Sequence, residues 1–120
     1  MAESKGIQSP FIPKIATGFC SGMARAGHIC GAVSGAVMAV SLFYGRSAPD
    51  QDVNTCYTRV QDLLDRFEDE FGTTNCSRLL GCDLGTPEGQ EQFAQDNLIE
   101  QCRIFTEQAT QMAMDVIEGG

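Results

Sequence analysis

Cations are scarce in this chain. Eight of its 120 residues are Lys or Arg, against sixteen Asp or Glu, for a formal net charge of −8. The balance is uneven. Residues 1–48 carry Lys5, Lys14, Arg25 and Arg46 against Glu3 alone, a net of +3, and the rest of the chain has four Arg against fifteen acids, a net of −11. Nucleic-acid phosphates demand clustered Lys and Arg, so no nucleic-acid partner is expected. Histidine occurs once, as His28. A Ser-His-Asp triad would have a single base to draw on, and nothing marks a nucleophilic serine. Neither Gly-x-x-x-x-Gly-Lys-Ser/Thr nor Gly-x-Gly-x-x-Gly occurs, which removes the two common phosphate-cradling loops. Long apolar runs are also missing. The longest, residues 29–44, is interrupted by Gly31, Ser34, Gly35 and Ser41, and a spanning helix needs about 20 apolar residues. It reads as a buried helix, and no membrane insertion is expected. The first twelve residues mix Glu3, Lys5 and Pro10 with few apolar residues, so no secretory signal is expected.

Cysteine, by contrast, is plentiful: Cys20, Cys30, Cys56, Cys76, Cys82 and Cys102. With no export signal read, the expected location is the cytoplasm, where thiols stay reduced. Cysteines there are more often catalytic, redox-sensing or metal-binding than structural.

The length suits one compact domain. Residues 1–10 read as a flexible tail and residues 11–120 as a single all-helical domain. A first helix is expected over Ile12–Ala26, ended by Gly27, with the small residues Ala16, Gly18, Ser21, Gly22 and Ala24 permitting close helix contact or leaving the helix weak in isolation. A second is expected over Ile29–Tyr44, ended by Gly45 and apolar on nearly every side, hence central. Gly31 with Gly35, and Ala32 with Ala36, form smooth stripes on it. A third spans Asp50–Phe71, where Val53, Tyr57, Val60, Leu64, Phe67 and Phe71 recur at steps of three or four. Gly72 stops it, and Thr73, Thr74 and Asn75 offer caps for a short helix from Cys76 to Gly81. A last helix is expected from Glu88 or Phe93 to Ile117, with Leu98, Cys102, Phe105, Ala109, Met112 and Val116 on one face. No strand pattern occurs. The expected fold is all-α, a compact bundle of four main helices and one short one.

Cys30 falls at the start of the central helix. Unpaired N–H groups and the helix dipole both favour a thiolate there, which would lower its pKa. His28, two residues earlier, offers a proton acceptor or a positive neighbour. Cys76 has the same helix-start placement after Asn75, and Cys82 follows it across a Gly-ended turn. Their spacing is not Cys-x-x-Cys, so it is weak support for zinc on its own. Cys102 faces inward and can complete a four-thiol set. Cys20 is a possible partner near the first turn, and Cys56 reads as core packing. Glu68, Asp69 and Glu70 read as a solvated face, and the five Met as packing.

These residues resemble a known family. Cys30-Gly31-Ala32-Val33-Ser34-Gly35 is similar to the Cys-Gly-Ala-x-x-Gly box of the C_GCAxxG_C_C family of small redox-active proteins. Gly22-Met23-Ala24-Arg25-Ala26-Gly27 resembles that family's lead-in, Asn75 to Asp83 its later cysteine pair, and Leu42 to Gly45 the segment after the box. The resemblance covers roughly residues 15–115. Family members usually carry a first cysteine on an extra N-terminal helix, and this chain begins after the place for it. Cys20, standing where the family has a small residue, is a candidate replacement. The resemblance implies a redox or metal-linked role without naming a reaction.

Three functions follow as expectations. The leading one is dithiol/disulfide exchange, with Cys30, Cys76, Cys82 and His28 as catalytic residues, no required cofactor and an unidentified redox partner protein. The second is a zinc or iron–sulfur site on Cys30, Cys76, Cys82 and Cys102, with Cys20 as a possible ligand. The third is a helical interaction module with packing cysteines. The small first helix and the Gly/Ala stripe also suggest a homodimer.

Overall fold

The computed structural model describes residues 9–119. The tail expected over residues 1–10 therefore lies mostly outside the described residues. Six helices run through the described part: α1 (Phe11–Ala16), α2 (Gly31–Tyr44), α3 (Asn54–Phe71), α4 (Cys76–Leu80), α5 (Pro87–Gln95) and α6 (Ile99–Glu118). The fold is all-α, as expected. No helix among the described residues is long and apolar enough to cross a membrane.

The core is a three-helix layer in which α2, α3 and α6 pack against one another. Its fully buried centre is Val33 and Val40 of α2, Leu63 and Phe67 of α3, and Ala109 and Ala113 of α6. Phe67, Phe71 and Phe105 form an aromatic cluster with ring centroids 4.8 to 6.3 Å apart. Offset and edge-on contacts of this kind add to the area they bury. The expected face of α3 packs on the core through Val60, Leu64, Phe67 and Phe71, and it is broadened by buried Cys56 and Leu63, while Tyr57 departs from it at 58% exposure. Cys56 is core packing, its thiol directed at the Ser41 hydroxyl.

Helix ends follow local chemistry. The Asp52 carboxylate accepts from the Asn54 N–H at 3.0 Å at the start of α3. Gly72 and Gly81 end α3 and α4 in left-handed conformations that glycine adopts without a Cβ penalty. The Thr86 hydroxyl accepts from the Gly89 N–H and Pro87 opens α5. At the end of α6, Arg59 and Tyr44 donate to the Val116 and Ile117 carbonyls, which no later turn can satisfy. The Arg59 guanidinium also lies 4.5 Å over the Tyr44 ring.

Two expected helices are divided. The last one breaks at residues 96–98, where Asn97 has φ +53°, into α5 and α6. Asn tolerates that conformation better than most residues. The first ends after one and a half turns. A 3₁₀ turn, Thr17–Phe19, follows α1, and then Ser21, Gly22, Met23, Ala24 and Arg25 all take positive φ, from +54° to +70°. The Arg25 N–H donates to the Ser21 carbonyl at 3.0 Å, closing a left-handed helical turn. Each non-glycine residue there costs about 1–2 kcal/mol. Such a turn persists only where tertiary contacts over-determine it.

Core burial is expected to dominate stability. Phe67→Ala should cost about 3–5 kcal/mol, and Tyr57→Ala less than about 1 kcal/mol, in denaturant unfolding. Equal costs would contradict the burial of Phe67 and the exposure of Tyr57.

Candidate functional site

The site grows from a main-chain interlock. Ile29 and Asn75 form an isolated antiparallel bridge between the segments that lead into α2 and α4. The Cys30 N–H donates to the Thr74 carbonyl and the Cys76 N–H to the His28 carbonyl, each at 2.7 Å. Side chains alternate along paired extended segments, so Cys30 and Cys76 leave the bridge on the same side. The Asn75 amide donates to the Gly27 carbonyl at 2.8 Å while its oxygen accepts from the Arg78 N–H, so one side chain both caps α4 and ties it to the left-handed turn.

The left-handed turn closes over this bridge. A Cβ placed on Gly22 would stand 2.6 Å from Cys76 Cβ and 3.1 Å from its Sγ. One on Gly27 would stand 2.5 Å from the Ser77 hydroxyl, and one on Gly31 3.2 Å from the Cα of Cys20. Glycine is therefore required at Gly22 twice over, for its positive φ and for its closeness to a thiol. Gly31 lets the Cys20 backbone rest against the first turn of α2.

Four of the six cysteines, Cys20, Cys30, Cys76 and Cys102, line one cavity of about 390 Å³. Gly31, Ala32, Gly35, Ala36 and Ala39 make one wall. The small-residue stripe of α2 is thus only partly covered by chain, and at Gly35 a Cβ would meet nothing within 4 Å. Cys30 and Cys76 are buried, at 8% and 6% exposure, whereas Cys20 is exposed. Cys82 is buried but does not line the cavity, and His28 has an exposed side chain outside the cavity and enters the interlock through its backbone. A larger, shallower groove of about 490 Å³ runs past Arg59, Asp62 and Arg66. It contains no thiol, and its arginines are engaged by Val116 and Asp62.

Burial outweighs the helix start in setting thiol chemistry. It pushes Cys76 up to about 11, with Cys30, Cys102 and Cys82 pushing the same way, against the lowering that a helix N-terminus predicts. Burial also raises Cys102, helped by Cys30 and Cys82, and raises Cys82, helped by Asp83 and Asp96. These mutual influences mark Cys30, Cys76, Cys82 and Cys102 as electrostatic neighbours. They do not converge as ligands: among the described residues no three His, Cys, Asp or Glu side chains are arranged to hold a metal ion. The expected zinc or iron–sulfur set is thus a neighbourhood rather than a coordination sphere.

Leu80, Leu84, Phe93, Ile99, Thr106 and Thr110 also line the cavity and were not expected there. Part of that wall had a signal. Cys102, Thr106 and Thr110 lie four residues apart, on one face of a helix. Phe93 and Leu84 had none, because their place beside the thiols depends on tertiary packing.

Cys76 in the folded protein is expected to react with iodoacetamide about tenfold faster per pH unit, levelling only above about 11. The folded state holds this proton more tightly than the unfolded chain, whose thiol titrates near 9.0. Its contribution to stability is complete below about pH 9 and is lost as pH rises toward about 11. Alkylation that levels near pH 9 would contradict the burial argument.

Among curated proteins, and among solved structures, no match to the chain is found. A family model does match, over residues 1–116, and carries the description "Putative redox-active protein (C_GCAxxG_C_C)". With that match spanning nearly the whole sequence, and with Cys30 of the box and Cys76 of the later pair lining one cavity, the chain belongs to the C_GCAxxG_C_C family.

Proposed function

We propose that this is a thiol redox protein of the cytoplasm in which Cys30 and Cys76 alternate between dithiol and disulfide. The carrying observation is the Ile29–Asn75 bridge, which sends both thiols to the same side of two helix starts. All six cysteines are free, which corresponds to the dithiol half of this cycle.

The reaction partner is an incoming disulfide. The Cys30 thiolate attacks one of its sulfurs, the S–S bond breaks, and the other sulfur leaves as a thiolate that takes up a proton. The Cys76 thiol then loses its proton and attacks the Cys30 sulfur of the mixed disulfide. The second half of the partner leaves as a thiol. The partner is reduced to two thiols, and the protein is oxidised to one disulfide.

The high pKa of Cys76 makes the second step slow near neutrality. At pH 7 about one Cys76 in ten thousand is a thiolate. The mixed disulfide on Cys30 should therefore accumulate and resolve faster as pH rises. Cys102 and Cys82 are the alternative resolving thiols, since both lie within electrostatic reach of Cys30 or Cys76.

Oxidation followed by peptide mapping tests the assignment. Wild-type protein should lose two hydrogens and yield a Cys30–Cys76 linked peptide. Cys76→Ser should stop at the Cys30 mixed disulfide, and Cys30→Ser should form neither. An internal disulfide that persists in Cys76→Ser would move the resolving role to Cys82 or Cys102. A wild-type chain that forms no disulfide on Cys30 would sink the redox reading.

A further inference from the structure

We infer that the thiol cavity selects uncharged, apolar disulfides and rejects anionic ones, glutathione disulfide included. This rests on the redox reading above and adds its substrate class.

The argument is from the wall. None of the residues lining the cavity carries a charge. One side is the Gly35, Ala36 and Ala39 surface of α2, and the opposite side is Leu80, Leu84, Phe93 and Ile99. Three hydroxyl side chains, Ser21, Thr106 and Thr110, are the oxygen-bearing ones, and the Thr106 hydroxyl already donates to the Cys102 carbonyl at 2.9 Å. A carboxylate brought here would lose its water and gain no cation, and burying a charge without a partner is strongly unfavourable. Long-range charge acts in the same direction, since the chain carries a net −8 and fifteen of its sixteen acids lie after residue 48. Asp83 and Asp96 are close enough to raise the Cys82 thiol. Glutathione disulfide, with four carboxylates and two ammonium groups, is a poor fit on each count. The volume, about 390 Å³, falls at the lower end of small-molecule sites, which suits a disulfide with two compact aromatic or branched aliphatic arms.

Gly35 gives direct control of the space. It is exposed and faces the cavity, and a Cβ there meets nothing within 4 Å. A leucine at this position fills the cavity, and replacing a glycine inside a helix favours the helix.

The test uses reduced full-length protein in a Cys20→Ser background, so that the exposed thiol does not contribute. Two aromatic disulfides are compared at pH 7: 2,2′-dithiodipyridine, which is uncharged, and 5,5′-dithiobis(2-nitrobenzoate), which bears two carboxylates. Each rate at Cys30, confirmed by peptide mapping, is divided by the rate of the same protein unfolded in guanidinium, which removes intrinsic reactivity. The normalised rate should be at least about tenfold higher for the uncharged probe, equivalent to about 1.4 kcal/mol of discrimination. Gly35→Leu should abolish most of that preference by slowing the uncharged probe, with far-UV circular dichroism and thermal midpoint retained. If Gly35→Leu unfolds, Ala39→Leu on the same wall serves instead. Equal normalised rates for the two probes would overturn the selectivity while leaving the redox reading intact. Failure of hydrogen peroxide and of both probes to yield any Cys30 disulfide would overturn the redox reading itself.

Discussion

Two short main-chain hydrogen bonds on either side of Ile29 and Asn75 hold this site together. They join a segment that enters the central helix to one that enters a helix of only five residues. A helix that short has no stability of its own. Here it is supported by the bridge, by the Asn75 cap and by the buried side chains of Cys76 and Leu80. The left-handed turn depends on the same clamp. Its four non-glycine residues at positive φ are unfavourable locally, and the contacts of Gly22 with Cys76 and of Gly27 with Ser77 hold it closed. Thiol geometry, the short helix and the strained turn are thus one mechanical unit.

The three-helix layer of α2, α3 and α6 supplies the rigid side of the site. Its aromatic cluster and its fully buried valines and alanines fix α2, and α2 presents Cys30 and the small-residue wall to the cavity. Two opposed effects meet at the thiols. Helix starts favour thiolates, while an apolar cavity with several thiols disfavours them. For Cys76 the second effect dominates, because its sulfur is buried beside Gly22 and a charge on it would be repelled by charge on the neighbouring sulfurs. A thiol held this way stays protonated near neutral pH.

Much of this was legible in the residues. The all-α class, the extents of α2 and α3 to within a few residues, the Asn75 cap with its Gly81 stop, and the core role of Cys56 all follow from periodicity and capping chemistry. The expected helix over Ile12–Ala26 did not form beyond Ala16, although its glycines and Ser21 already marked it as weak. The exposure of Tyr57 was hidden because that residue suits a partly apolar face. The smooth Gly/Ala stripe was legible too, but that much of it lines the thiol cavity, with open space at Gly35, was not.

The residues alone settled the helical class, the starts and stops of the central helices and of the short helix at Cys76, and which cysteines stand at those starts. These are local properties, set by side-chain period, caps and glycine stops within a few residues. Only the tertiary structure decided which thiols meet. Cys20, Cys30, Cys76 and Cys102 are spread over 82 positions of chain and share a cavity because a bridge, a reversed turn and a helix break fold their segments to one end of the α2–α6 contact. The protonation state of Cys76 was decided there too, because desolvation depends on what covers a sulfur rather than on its neighbours in the chain.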